Sequence, residues 1–454
     1  MRARWLLPLA VLLVASGCTG PSAPPAGPAG APPDPRYGAA PERHPDVTYQ
    51  PDVVFVAGGA RVVRGVGPDG LTWRIDPEAD GADDLARGKV MFLTGRSVGR
   101  VLDTRTEGSD LVVTLGPVAI TEVIRDGVFS TEAPVALSGA TASEAGQPPW
   151  AEVDAEPEAG KLGRAVPGRR GQLAAGLSVE PVCCANGVGA SFGYDSGGIR
   201  VRGEVTVRMS APKARFHLAI SGATVTEAEL SISGGAGLRV ALAGATRLAP
   251  GNNLNKHFAV PVRFSVPIGQ ILGVPFEATV DQLVGIQTAF GARDGNIEAS
   301  GDWSFGGALG FRYQNGAFTV EAPRTLSVSK SLTDSIHGIS IGVNGLIVDY
   351  QAKFHVGIGV LGFTAGLYVG FAATTAVTIG SAAGAPIKLC RGAQLSLWVS
   401  YGVGYRIPAS FATAINAFLR LVNATPIPRQ GGIGDVKNVL NRSVIDPDEP
   451  ICRR

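Results

Sequence analysis

The sequence predicts a mainly β protein, with a small β barrel or sandwich domain followed by a large antiparallel β-sheet domain that carries one C-terminal helix. Short β-branched runs alternate with turn residues along most of the chain, which indicates successive strands. Glycine accounts for 62 of 454 residues and charged residues for 17%, a composition that favours a turn-rich β chain. In Ile199–Ser210, apolar and polar residues alternate, as in a strand with one buried face.

Residues 1–17 have the pattern of a secretory signal peptide. A basic head, Met1–Arg4, precedes an apolar run, Trp5–Ala15, and small residues stand before Cys18. The apolar run is too short to cross a membrane as a mature helix. We therefore expect the rest of the chain to be exported.

The end of this segment, Ala15-Ser16-Gly17-Cys18, resembles the lipobox of bacterial lipoproteins. In that family the cysteine is lipidated, with acyl chains such as palmitate, and becomes the first mature residue. The family more often has Leu or Val at the position of Ala15. The resemblance implies lipid attachment at Cys18 and a location in the cell envelope, anchored outside the cytoplasmic membrane; the alternative is an ordinary signal peptide cleaved near Cys18.

Residues 18–50 are predicted to be a tether. Pro, Ala and Gly dominate the segment and it lacks hydrophobic periodicity, so it has too little apolar surface to form a core. Its expected role is to hold the folded part away from the membrane.

Residues 51–138 are predicted to form the small β domain. Its strands are expected at Val53–Val56, Arg61–Val66, Leu71–Ile75, Lys89–Leu93, Val98–Arg105 and Leu111–Leu115. Turn signals such as Pro68-Asp69-Gly70 separate these runs at hairpin spacing, which is typical of a small barrel or sandwich.

Residues 139–177, rich in Gly, Ala, Pro and Glu, are predicted to be a second linker, and residues 178–454 the large antiparallel β domain. Three dipeptides inside it, Asp294-Gly295, Asn315-Gly316 and Asn344-Gly345, are strong signals for hairpin turns because both residues tolerate positive φ. We expect a hairpin at each of them.

Two stretches of the large domain, Phe276–Phe290 and Val356–Ala373, are apolar on both faces of a strand. Such strands are packed between layers, line an apolar cavity, or span a membrane as a barrel. The residues alone leave these alternatives open, with the packed core preferred.

Residues 409–423 show the pattern of an amphipathic helix. Ser410 can cap it, and apolar residues recur at helical spacing from Phe411 to Val422. Pro426 ends the pattern, and Thr425–Arg454 is expected to be an irregular tail held by Cys452.

Besides Cys18, the chain has four cysteines, Cys183, Cys184, Cys390 and Cys452. An even number of exported cysteines favours two disulfides, with three connectivities open. A bond between Cys183 and Cys184 is strained, so we expect each of them to pair with either Cys390 or Cys452.

Two matches to the nucleophile-elbow pattern Gly-x-Ser-x-Gly place serines at Ser191 and Ser340. The pattern requires a sharp strand-to-helix turn that lifts the serine toward a histidine. Neither match is followed by a helical pattern, and chance matches are expected in a chain so rich in Gly and Ser. No catalytic residue is therefore predicted.

The remaining motifs indicate no cofactor and no metal. The five histidines have no metal-ligand spacing, and no phosphate-binding loop or dinucleotide fingerprint occurs. The formal net charge is +2, which gives no argument for nucleic acid as a partner.

These features favour a lipid-anchored cell-envelope protein, a non-enzymatic module that binds a partner or supports structure. The expected partners are the membrane, through the anchor, and an envelope protein, glycan or lipid. An alternative is a carrier that holds a lipid or other apolar ligand in a cavity of the large domain. A second alternative is a serine hydrolase, which requires Ser191 or Ser340 beside a histidine.

Overall fold

The computed structural model describes residues 37–67, 70–135, 141–144, 176–183, 187–247, 255–259, 262–291, 295–322, 325–328, 331–338, 343–360, 363–382, 385–406, 416, 419–420, 426, 428 and 430–452. The predicted signal peptide, Cys18 and the first part of the predicted tether lie outside these residues. Most of the predicted linker 139–177 lies outside them too.

The described residues up to Glu144 form short strands and one helical turn. In chain order they are β1 Thr48–Tyr49, β2 Val53–Phe55, β3 Val63–Val66, β4 Thr72–Ile75, β5 Val90–Thr94, β6 Ser97–Glu107, β7 Asp110–Gly116, α1 Ile120–Val123, β8 Ile124–Pro134 and β9 Thr141–Glu144. A 3₁₀ turn, Gly59–Val62, precedes β3.

Longer strands follow. They are β10 Leu177–Cys183, β11 Gly187–Ser196, β12 Ile199–Ser221, β13 Thr224–Thr246, β14 Asn255–Ala259, β15 Val262–Ile271, β16 Val274–Phe290, β17 Asn296–Gly306, β18 Leu309–Gln314, β19 Ala317–Glu321, β20 Thr325–Val328, α2 Ser331–Ser335, β21 Val343–Val360, β22 Phe363–Ala382, β23 Ala385–Arg406 and β24 Gln430–Asp446. A 3₁₀ turn, Pro450–Cys452, ends the described chain. The predicted mainly β fold, with antiparallel sheets, is confirmed.

The small domain is a six-stranded sheet with the order β2-β5-β6-β7-β4-β3. Its strands are antiparallel except for the parallel pair β2 and β5. All six strands predicted for this domain are present, with ends within two residues of the predicted ones. The short β-branched runs and the turn signals between them therefore located these strands correctly.

Strand β5 is buried along its whole length, because it lies between two cores. Met91 and Leu93 pack with Trp73 in the core of the small domain. Val90 and Phe92, on the opposite face, belong to the core of the large domain. A strand covered on both sides needs apolar residues at every position. Strand β5 therefore contributes side chains to the cores of both domains.

The large domain contains a ten-stranded sheet along the path β1-β8-β12-β13-β17-β20, with β10–β11 beside β12 and β18–β19 beside β13. Strand β12 serves two neighbours in succession: Ile199–Arg208 pairs with β11 and Lys213–Ile220 pairs with β8. Between these segments the pairing with β13 is irregular, and Ala211 has a φ of 45°. Residues in this region depart from extended backbone, which lets one long strand join two parts of the sheet.

An eight-stranded sheet, β24-β23-β22-β21-β16-β15-β9 with β14 beside β16, packs against the ten-stranded sheet. The ring of Phe276 in β16 lies 5.3 Å from that of Phe129 in β8 and 4.9 Å from that of Phe216 in β12. Tyr350 of β21 is fully buried and donates a hydrogen bond to Gln282 Oε1 at 2.6 Å. The described inward residues of both apolar stretches, Phe276–Phe290 and Val356–Ala373, belong to one packed core, where each large side chain contributes about 1.5–3 kcal/mol.

One of the three predicted hairpins is confirmed. Asn315 and Gly316, with φ of 54° and 78°, connect β18 and β19, as the left-handed preference of this dipeptide predicts. The prediction of a hairpin at Asn344-Gly345 is wrong, because both residues lie inside β21 and are paired with β16 and β22. The hairpin at Asp294-Gly295 is also wrong: Asp294 lies outside the described residues, and β16 and β17 on either side belong to different sheets.

The predicted tether does not extend to residue 50. The ring of Tyr37 lies 6.0 Å from that of Trp73, and the Glu42 amide donates to the carbonyl of Gly273 at 2.7 Å. Strand β1 pairs with β8. Residues 37–50 are therefore part of the folded body, held by backbone hydrogen bonds that composition does not reveal.

Two segments near the predicted boundaries join the large sheets. Strand β8, placed by the sequence in the small domain 51–138, pairs with β12 from Lys213 to Ile220. Strand β9, inside the predicted linker 139–177, pairs with β15. Both large sheets therefore incorporate strands from the region before residue 178.

The predicted irregular tail is wrong over residues 430–446, which form β24 and pair with β23. A disulfide joins Cys390 to Cys452 with a Cα–Cα distance of 5.5 Å, so the expected tie of the C-terminal segment is present. The expected pairing of Cys183 and Cys184 with these two cysteines is wrong, because Cys390 and Cys452 bond to each other. Cys183 ends β10, and Cys184 lies outside the described residues.

The predicted helix 409–423 lies mostly outside the described residues. The three residues described there, Asn416, Leu419 and Arg420, are helical. Leu419 is 5% exposed and packs in the core of the small domain, so the apolar side of this segment has a partner within the chain.

Candidate functional site

An open trough of about 560 Å³ crosses the outer face of the ten-stranded sheet. Strand register arranges its polar and small lining residues in two rows that run across the strands. One row is Ser178, Gly193, Arg202, Ala243, Glu298 and His337, and the other is Glu180, Ser191, Glu204, Ala241 and Ser300. Since neighbouring strands lie about 4.8 Å apart, the five strands β10, β11, β12, β13 and β17 give the trough a length of roughly 19 Å.

The floor of the trough is low because the outward residues of β13 are small. Ala241 and Ala243 point outward, while Val240 and Leu242 point into the core. Along the length of the trough, β12 on one side of β13 carries Arg202 and Glu204, and β17 on the other side of β13 carries a glutamate and a serine. Short side chains between longer ones produce a depression on an otherwise regular sheet surface.

Three of the four arginines of β12, those at positions 200, 202 and 208, differ in their partners. Arg200 forms an ion pair with Asp195 at 2.7 Å, and Arg208 forms one with Asp302. Arg202 lies between them, is exposed, and makes no ion pair with any described residue. Its guanidinium group therefore has donors available to a molecule in the trough.

One end of the trough is formed by His337, which follows α2. Its Nδ1 lies 2.7 Å from the carbonyl of Ser335 and its Nε2 lies 3.0 Å from Glu298 Oε2. The Ser335 carbonyl and then the Glu298 carboxylate raise the pKa of His337, while nearby Arg391 opposes them. Both ring nitrogens face acceptors, so the geometry favours the doubly protonated imidazolium.

The trough does not bring Ser191 next to a histidine. Ser191 lies on β11 and His337 beyond β17, with β12 and β13 between them, a separation of roughly 19 Å. Ser191 also lies within a regular strand and not at a strand-to-helix turn. Ser340 lies outside the described residues. The described geometry therefore does not give Ser191 a histidine as its general base.

Sequence reasoning missed a serine–histidine contact elsewhere on the same sheet. Ser130 Oγ of β8 lies 2.5 Å from His217 Nδ1 of β12, and His217 Nε2 lies 3.6 Å from Glu227 of β13. Ser130 and His217 are separated by 87 positions in the sequence, and only cross-strand pairing brings them together. They lie on the exposed sheet surface and do not line the trough, so we assign them a surface hydrogen-bonding role.

A second polar cluster is buried where the small domain meets the eight-stranded sheet. Arg96, at the turn between β5 and β6, donates from Nε to both carboxylate oxygens of Glu277, at 3.1 and 2.8 Å. The side chains are only 9% and 12% exposed. The Gly359 amide also donates to the Gly95 carbonyl at 2.9 Å. This pair is a connection between domains, which no local sequence signal indicated.

Within the described part of the chain, no group of three or more His, Cys, Asp or Glu side chains is arranged to hold a metal ion. Among the same residues, no helix has the length and apolar character needed to cross a membrane.

Comparison with known proteins gives two family matches. The family described as "Domain of unknown function (DUF8403)" matches residues 33–126, which include the small β domain. No curated protein and no solved structure matches the chain. The family described as "Domain of unknown function (DUF8402)" matches residues 159–435, more than half of the chain and most of the two large sheets. The chain therefore belongs to the DUF8402 family.

Proposed function

We propose that the protein is a lipid-anchored module of the cell envelope that binds a partner without catalysis, and that the trough on the ten-stranded sheet is its binding surface. The trough is the main support for the proposal, because it combines a cavity of about 560 Å³ with an arginine that has no ion-pair partner among the described residues. Concave sites with a few convergent polar groups are where ligands bind most often.

Two features support the location outside the cytoplasm. The sequence before Cys18 resembles a lipobox, which implies a lipid on that cysteine. The Cys390–Cys452 disulfide suits an oxidising compartment, because cytoplasmic thiols are kept reduced.

Binding is favoured over hydrolysis by the separation of Ser191 from His337 across the trough. Acyl transfer needs the serine hydroxyl within about 3.2 Å of its base. The interior between the two large sheets also favours binding at the surface over the carrier function, because the described inward side chains pack against one another.

The anchor is tested by growing cells with an alkyne-tagged fatty acid and separating membrane from soluble fractions. We expect the wild-type protein to be labelled and membrane-bound, and the Cys18→Ser variant to be unlabelled. Cys390→Ser is the matched control, because it removes a cysteine and retains the anchor. Equal labelling of wild type and Cys18→Ser would contradict the proposal.

The carrier alternative is tested by native mass spectrometry of the Cys18→Ala protein purified from its own envelope. A protein without a stoichiometric apolar molecule is the expected result. Lipid extraction that recovers one apolar molecule per chain would favour the carrier.

A further inference from the structure

Resting on the proposed binding function, we infer that the trough binds a linear, hydroxyl-rich glycan chain that crosses the strands of the ten-stranded sheet. The length of the trough suits a chain of several linked units and exceeds what a compact anion or a single sugar needs. The two rows of lining residues run in one direction across the strands, so that a linear chain can lie along them and meet polar side chains on several strands.

The charges along the trough argue against a polyanion. Three carboxylates line it, those of Glu180, Glu204 and Glu298, against the cations Arg202 and His337. A phosphate-rich or sulfated polymer would meet these carboxylates along most of its length. A glycan hydroxyl is both donor and acceptor, so it can pair with carboxylates and with a guanidinium group in the same groove.

The floor of the trough favours the apolar faces of sugar rings. Ala241 and Ala243 give a shallow apolar surface at its centre, on which C–H groups can pack, while hydroxyls before and after this point of the chain reach the polar side chains of β12 and β17. A wholly apolar ligand fits poorly, since its surface would cover the carboxylates and Arg202 without giving them hydrogen bonds.

The test is isothermal titration calorimetry of the soluble Cys18→Ala protein with maltohexaose, cellohexaose, N-acetylchitohexaose and glycan strands released from peptidoglycan. We expect at least one of these to bind. Adding Arg202→Ala should weaken that binding about tenfold or more, because charge-assisted hydrogen bonds are lost. Adding Ala243→Trp should abolish glycan binding, because the indole ring would occupy the space above the alanines of β13.

The control is Arg200→Ala, which removes an arginine from the same face of β12 outside the trough, and should leave the affinity within about twofold. Circular dichroism confirms that each variant is folded. The inference is overturned if no glycan binds, or if binding survives both trough variants. Tighter binding of oligolysine, or tighter binding of phosphatidylglycerol vesicles that depends on Arg202, would also overturn it, while leaving the proposed binding function in place. The lipid anchor plays no part in this assay. A failure of the anchor prediction is therefore measured separately, by the labelling experiment with Cys18→Ser.

Discussion

His337 and Glu298 contact each other through both backbone and side chain. Their backbones form a β-bridge, and the imidazole Nε2 lies 3.0 Å from the carboxylate Oε2. The contact joins the segment after α2 to the edge of β17 and closes one end of the trough. Since the imidazole gains hydrogen-bond acceptors on folding, its protonation is coupled to the stability of this end of the sheet.

The pKa of His337 is predicted to lie above its ordinary value of about 6.5. A raised pKa in the folded state means that the contact stabilises fully below about pH 6.5 and is lost as pH rises through the folded pKa. NMR titration of the imidazole measures this directly. Glu298→Gln should lower the pKa; a wild-type pKa at or below 6.5 would contradict the assigned geometry.

The ion pair between Arg96 and Glu277 is predicted to fix the small domain on the eight-stranded sheet. Replacing either residue with Ala leaves the other charge buried, and should cost about 3–5 kcal/mol of unfolding free energy. Denaturant unfolding monitored by tryptophan fluorescence measures it. Arg200→Ala, which removes an exposed ion pair, should cost less than about 1 kcal/mol; equal losses in the two variants would show that burial has no role.

The Cys390–Cys452 bond closes a loop with a sequence separation of 62. Replacing both cysteines with Ser is predicted to lower stability by about 4 kcal/mol in the chain-entropy model. Peptide mapping without reduction should recover the two cysteines in one linked pair. A peptide linking either of them to Cys183 or Cys184 would contradict the structure.

The turn at Gly316 is predicted to require its glycine for backbone conformation alone. Its φ is 78°, and a Cβ there would meet no atom within 4 Å, so Gly316→Ala should cost about 1 kcal/mol through strain. Gly65→Ala, at a position without positive φ, is the control and should be neutral or slightly stabilising. A neutral Gly316→Ala would argue against the left-handed turn.

Local sequence patterns predicted the small domain well because its strands are short and bounded by turn residues. The same reasoning failed at Asn344-Gly345, where pairing on both sides outweighs the turn preference of the dipeptide. It failed again at residues 37–50 and 430–446. Their polar or Gly-rich composition resembles loops, but backbone hydrogen bonds to distant strands hold them.

The candidate site was only partly visible in the sequence. The alternation in β12 predicted that Arg202 faces solvent, and the structure confirms its exposure. The trough itself depends on the register that sets Arg202 opposite Ala243 and Ala243 opposite Glu298. No local pattern relates strands about a hundred residues apart, so the site could be recognised only after the sheet was known.

Intact-protein mass spectrometry on the protein extracted from its own membranes tests whether this chain carries a lipid anchor at Cys18. We expect a mature chain that begins at Cys18 and carries the added mass of a diacylglycerol group. A chain without lipid that begins at any other residue would contradict it.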